Sequence, residues 1–215
     1  AMGHRVDIIA ADFSHLRRVN PDVSRDFQEE IIDGIHYHWI KTRRYEGNGG
    51  QRAITMAQFI GKLWLHTGRI IKDMDPDVVI DSSTYPLDTY IGQRIRKKSK
   101  KKVKVIHEVH DMWPISPVEI GGMSSKHPFI RVMQRGEDSF CKNSDRIVSL
   151  LNIYRNMGCP LKSFLMLLTV LCWRNGSIPD LCRKNTFVFL ENVNRKTDLS
   201  YVFLVAIQNL THWTI

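Results

Sequence analysis

Short apolar runs punctuate the chain as far as Leu151: RVDIIAAD (Arg5 to Asp12), GIHYHWIK (Gly34 to Lys41), PDVVIDSS (Pro76 to Ser83), KVKVIHEVH (Lys102 to His110) and RIVSLL (Arg146 to Leu151). Each is too short for a helix and rich in branched side chains, so each reads as a strand. Between them lie longer stretches with helical spacing. Gln51 to Lys72 carries Ile54, Phe59, Leu63 and Ile70 on one stripe, Pro86 opens a segment reaching about Lys98, and Pro128 to about Lys142 is a further helix. Proline suits a first helical position because its missing N–H has no intrahelical partner there. Strands that are apolar on both faces and alternate with helices predict a Rossmann-like α/β fold, a doubly wound parallel sheet covered by helices.

That architecture says where chemistry belongs. Ligands of an open parallel sheet bind beyond the carboxyl ends of its strands. KVKVIHEVH delivers His110 and Asp111 to that edge, and the two-residue period of a strand puts Glu108 and His110 on the same face. SSTYP, Ser82 to Pro86, occupies the equivalent place after the preceding strand. Imidazole, carboxylate and hydroxyl all make directional hydrogen bonds to sugar hydroxyls, and histidine changes charge near neutral pH. The plainer alternative keeps His107 and Glu108 as satisfied polar groups at a sheet end, with Ser83 or Tyr85 capping a helix. No HExxH pattern accompanies the cluster, so no metal is assigned.

Composition narrows the partners. The 215 residues, 43% apolar and 25% charged, suit one large domain or a domain with an appendage, and a net charge of +9 favours an anionic partner. KKSKKKVK, Lys97 to Lys104, concentrates that charge. It is either a solvated loop or a contact for anionic membrane through Lys100, Lys101 and Lys102, at about 1 kcal/mol per residue near the surface. Nucleic acid is disfavoured, because no aromatic residues interleave with these lysines. The four cysteines form no CxxC pair, which excludes a zinc ribbon. The longest apolar run, Phe164 to Trp173, is too short to span a bilayer. YEGNGGQR, Tyr45 to Arg52, lacks GxGxxG and the Walker lysine, so it is a linker or a loop over an acceptor site and not a nucleotide fingerprint.

The blocks GHRVDIIAADFSHLR, EEIIDGIHYHWIKT, YEGNGGQR, PDVVIDSSTYPLD, EVHDMWPISPVEIGGMSSKHPFI and EDSFCKNSDRIVSLL, in this order, resemble the amino-terminal domain of family-four retaining glycosyltransferases. The branch is that similar to bacterial fucosamine transferases of surface polysaccharide synthesis. The resemblance implies the amino-terminal half of a GT-B fold, with a nucleotide sugar as donor, a glycan or lipid-linked acceptor, and no cofactor or required metal. It implies His110 beside the donor sugar with Asp111 next to it. Ser82, Ser83, Thr84 and Glu108 would line the cleft, and Gly121, Gly122 and Met123 would form a loop on the acceptor side. A cytoplasmic place, peripheral at the inner face of the plasma membrane, is the corresponding expectation.

Two departures qualify the likeness. RVDIIAAD matches the second strand of such a domain, and nothing upstream supplies the first. Beyond Leu151 the second Rossmann domain is not recognisable. The expected organisation is therefore a glycosyltransferase amino-terminal domain over residues 1–151 and an atypical, irregular tail over 152–215, either a truncated or frame-disrupted remnant or a divergent appendage, with no transfer catalysed by this chain alone.

Overall fold

The computed structural model describes residues 4–15, 17–46, 49–149, 164–166 and 200–205. The strands are β1 (Arg5–Ala11), β2 (Gln28–Ile32) and β3 (Ile35–Ile40), followed by helices α1 (Gly50–Leu65) and α2 (Thr67–Met74). Next come β4 (Val78–Asp81), a 3-10 turn at Pro86–Asp88, α3 (Thr89–Lys98) and β5 (Lys104–Val109). The remainder is α4 (Ile115–Glu119), α5 (Pro128–Asn143), β6 (Arg146–Ser149), β7 (Phe164–Met166) and β8 (Ser200–Val205). One sheet joins all the strands in the order β2-β3-β1-β8-β4-β5-β6-β7. Every pairing is parallel except β2 with β3.

The fold is the Rossmann-like α/β arrangement that the run pattern predicts, with two corrections. First, the edge is an antiparallel hairpin. Asp33 and Gly34, at φ 52° and 79°, make the two-residue turn that brings Ile32 opposite Ile35. Both central residues lie in the left-handed region, as the twist of a hairpin requires, and Asp-Gly tolerates it best. Second, a strand from near the other end of the chain lies between β1 and β4. β8 pairs in parallel with β1 on one side, from Arg5↔Ser200 to Ala10↔Val205, and with β4 on the other, from Val78↔Tyr201 to Asp81↔Leu204. Of the tail, Phe164–Met166 and Ser200–Val205 are strands; the rest of it lies outside the described residues.

The main core explains why these segments are ordered together. Met56, Phe59 and Leu63 of α1, Ile70 and Met74 of α2, Ile91 and Ile95 of α3 and Met133 of α5 converge on Ile9, Ala11, Ile40, Val79 and Leu204 of the sheet. Ile54, read from its spacing as part of this stripe, is 54% exposed; Thr55 and Met56 take the inward positions. The helical register is reset at His66, where the Thr67 hydroxyl donates to the carbonyls of Leu63 and Trp64. On the opposite face, Ala10 packs with Val23, Tyr37 and Trp39. Burying each large aliphatic side chain contributes about 1.5–3 kcal/mol, so the helix-facing cluster dominates the stability of this half of the sheet.

Pro86 begins the 3-10 turn that leads into α3, as its position predicts. α3 can lie close to β4 because residue 92 is glycine: a Cβ there would stand 2.5 Å from Asp81 Oδ2.

Candidate functional site

β4 and β5 are neighbours in parallel register, with Asp81 opposite His107, so the residues just beyond their ends emerge side by side. The Ser82 hydroxyl donates to Glu108 Oε2 at 2.7 Å and lies 2.9 Å from His110 Nε2. Having spent its one proton on Glu108, it accepts from His110, which fixes the protonated ring nitrogen as Nε2. His110 Nε2 and Glu108 Oε2 are themselves 3.4 Å apart. Alternation therefore places Glu108 and His110 on one face, as expected, and Ser82 joins them across the strand pair.

Charge is shared within this trio. Burial pulls the His110 imidazole down, but its hydrogen bond and Coulombic attraction to Glu108, helped by Asp88, outweigh that and raise its pKa. Burial pushes the Glu108 carboxyl up, while His110 and the Ser82 hydroxyl more than offset this and hold it below its ordinary value. An imidazole and a carboxylate joined through a hydroxyl form a preorganised set of donors and acceptors that water does not have to rearrange.

Behind the trio is a buried polar layer. Asp88 Oδ2 accepts from the Ser83 backbone N–H at 2.8 Å. Burial raises the Asp88 carboxyl to about 7, against the opposing pull of Ser83 and His110. Asp81, also fully buried, is raised well above its ordinary value by burial and by Asp88. His107 takes the other face of β5, stacked on Phe140 with ring centroids 4.0 Å apart, and burial lowers its pKa to about 3, so it is neutral. Its Nδ1 stands 3.9 Å from Asp88 Oδ1. Asp81 and Asp88 escaped the sequence reading. The available signal was a carboxylate ending the apolar strand Val78–Asp81 and another just ahead of the helix that packs on it.

The remaining predicted residues divide into near and far. Ser83 and Thr84 are buried and line a small cleft with His110, Asp111 and Trp113. Asp111 borders the same cleft, but its carboxylate accepts from Met112 N, Trp113 Nε1 and Ser116 Oγ, so it organises the turn into α4. Gly121, Gly122 and Met123 are not hydrogen-bonded to the trio. They close α4, with Gly121 N donating to Ser116 O and Met123 N to Pro117 O. Gly122 takes φ 66°, and a Cβ on Gly121 would lie 2.7 Å from Pro117 O, so both positions need glycine. Beside that turn a cavity of about 420 Å³ lies between α4 and α5, lined by Ile115, Val118, Ile130, Arg131 and Arg135 among others.

Lys100, Lys101 and Lys102 fall at the opposite end of the sheet, in the loop that precedes β5. Lys101 Nζ lies 3.1 Å from both Asp75 Oδ2 and Asp77 Oδ1. Among the described residues no group of three or more His, Cys, Asp or Glu side chains is arranged to hold a metal ion. No helix among them is long and apolar enough to cross a membrane.

A Rossmann-like sheet with hydroxyl, carboxylate and imidazole gathered at the ends of adjacent parallel strands is the ligand-binding edge of an α/β domain. The sequence model of Glycosyltransferase Family 4 matches residues 1–153, and the chain belongs to that family. Its class of chemistry is thus glycosyl transfer. No curated protein matches the chain.

Proposed function

We propose that the chain serves a sugar transfer, with retention, from a nucleotide sugar to a glycan or lipid-linked acceptor, in the manner of bacterial fucosamine transferases of surface polysaccharide synthesis. The observation that carries this reading is the Ser82 hydroxyl shared by Glu108 and His110 at the strand ends of a family-four chain. His110 is the group that faces the donor sugar, and its N–H and charge hold a sugar or phosphate oxygen in place. Ser82, Ser83 and Thr84 supply hydroxyls and Glu108 the balancing carboxylate, while Asp111, next to His110, fixes the turn into α4. Gly121 to Met123 borders the acceptor side. The contribution to rate is orientation and electrostatics, set before the reaction begins. No metal has a role in this scheme. The lysine loop at the opposite end, through Lys100 to Lys102, is the contact for anionic lipid at a cytoplasmic membrane face.

Saturation-transfer NMR of the chain against a panel of nucleotide sugars and polyprenyl-diphosphate-linked sugars tests the site. A sugar ligand is expected whose affinity falls at least about tenfold, or 1.4 kcal/mol, in His110→Ala with unchanged thermal stability. If every sugar that binds does so equally well to His110→Ala, the assignment is wrong; if none binds the parent chain, the proposed site is wrong.

A further inference from the structure

We propose that β8 is a positioning strand for the candidate site: by filling the slot between β1 and β4, it fixes the Ser82–Ser83 turn through the Leu204 backbone carbonyl. The inference rests on reading Ser82, Glu108 and His110 as that site. Ser82 N–H donates to Leu204 O at 3.1 Å, and the Ser83 hydroxyl reaches the same oxygen at 3.5 Å. The carbonyl therefore engages the serine whose own hydroxyl bridges Glu108 and His110.

Two further observations separate a positioning strand from an incidental edge contact. β8 is interior to the sheet, paired on both sides, so its removal would leave two rows of backbone groups on β1 and β4 without partners. The Leu204 side chain is fully buried in the main core with Val79, Tyr85 and Ile9, which locks the strand's depth in the slot. A slip of one residue would turn this leucine to the other face and offer Ser82 a different carbonyl. Residues beyond the family-matched stretch, which ends at 153, are thus part of what shapes the site.

Amide hydrogen exchange on the full chain, read residue by residue by NMR, tests this. In the parent chain the Ser82 amide is expected to be protected to the same degree as those of Val79 and Ile80 within β4. A Ser82 amide that exchanges like an open loop overturns the proposal, whatever any variant does. Leu204→Asp should expel β8 and lower Ser82 protection roughly hundredfold through local opening. The Phe27 amide, bonded to Trp39 O at 2.7 Å across the hairpin edge, should keep its protection and so report that the fold persists. Leu204→Ile should restore Ser82. In Leu204→Asp the Glu108 carboxyl is also expected to titrate nearer the ordinary glutamate value, because the Ser82 hydroxyl that helps hold it down is no longer fixed. Loss of Ser82 protection with an unmoved Glu108 titration would reduce β8 to a structural strand and sink the positioning role. Sugar binding is not part of this readout, so failure here is distinct from failure of the functional assignment.

Discussion

At the scale of single residues, the trio and the acids behind it respond to pH group by group. His110 has a raised pKa in the folded state, so its contribution to stability is full below the ordinary histidine value and is lost as pH rises through the folded value. Glu108 is lowered, so its contribution is present above the ordinary glutamate value and is lost as pH falls through the folded one. The pair is therefore most stabilising between those two limits. Glu108→Gln leaves burial unopposed except by Asp88, and an NMR titration of the His110 ring should show its midpoint fall; an unchanged midpoint would mean that the pair is not coupled in solution. Asp88 runs opposite to Glu108 and in the same direction as His110. Its carboxyl is held protonated to about 7, so the folded protein loses stability as pH rises from the ordinary aspartate range toward that value. Asp88→Asn removes the need to ionise. Its melting temperature relative to the parent should rise from pH 4 to pH 8, and a difference that stays flat across that range would contradict the buried charge assignment.

Elements show which parts of this molecule were written in local pattern. Each predicted strand and helix up to β6 formed within a few residues of its expected bounds, because burial on a two-residue or a helical period leaves a mark that survives single exceptions such as Ile54. The convergence of Glu108, His110 and Ser82 was legible for the same reason: two adjacent parallel strands carry their ends to one edge. The hairpin was less visible, since β2 reads QEEII, more charged than a typical strand, although Asp33-Gly34 between two β-like runs is a strong turn signal. What no local pattern could reveal was β8, whose place in the sheet is fixed by pairing partners almost two hundred residues away in sequence, Arg5 with Ser200 among them. Nor could it reveal the Asp81–Asp88 layer, which depends on how closely α3 approaches β4. That approach makes its own prediction. Gly92→Ala puts a methyl group within 2.5 Å of Asp81 Oδ2, so the helix or the buried carboxylate must shift, and overpacking of this kind costs about 1–3 kcal/mol. Chemical denaturation should show a lower midpoint with an unchanged slope. A variant as stable as the parent would mean that α3 stands further from β4 than described.

At the scale of the whole molecule, the two ends of the sheet differ in character. The strand ends carry Ser82, Glu108 and His110; the strand beginnings carry the lysine loop and the acids that face it. These ends do not share side chains, so their functions should separate under mutation. The loop itself is not uniform. Lys101 is drawn onto Asp75 and Asp77, and also donates to the Asp75 carbonyl, while Lys104 pairs with Asp145 at 2.9 Å. A lysine already held by two carboxylates has less charge to offer a membrane than one without them, and its removal leaves those carboxylates facing each other. Lys101→Gln should therefore lower thermal stability modestly and change lipid binding little. Lys100→Gln with Lys102→Gln should do the reverse, weakening association with phosphatidylserine vesicles by about 1 kcal/mol per lysine, or roughly fivefold each, with no change in melting temperature. The effect should fade as salt is raised, because screening shortens the reach of surface charge. Sedimentation with vesicles at low and physiological salt measures it. Vesicle binding that responds to none of the three lysines would remove the membrane role from this loop and leave the residues at the strand ends as the chain's candidate functional edge; an equal response to all three would mean that Asp75 and Asp77 do not hold Lys101 back.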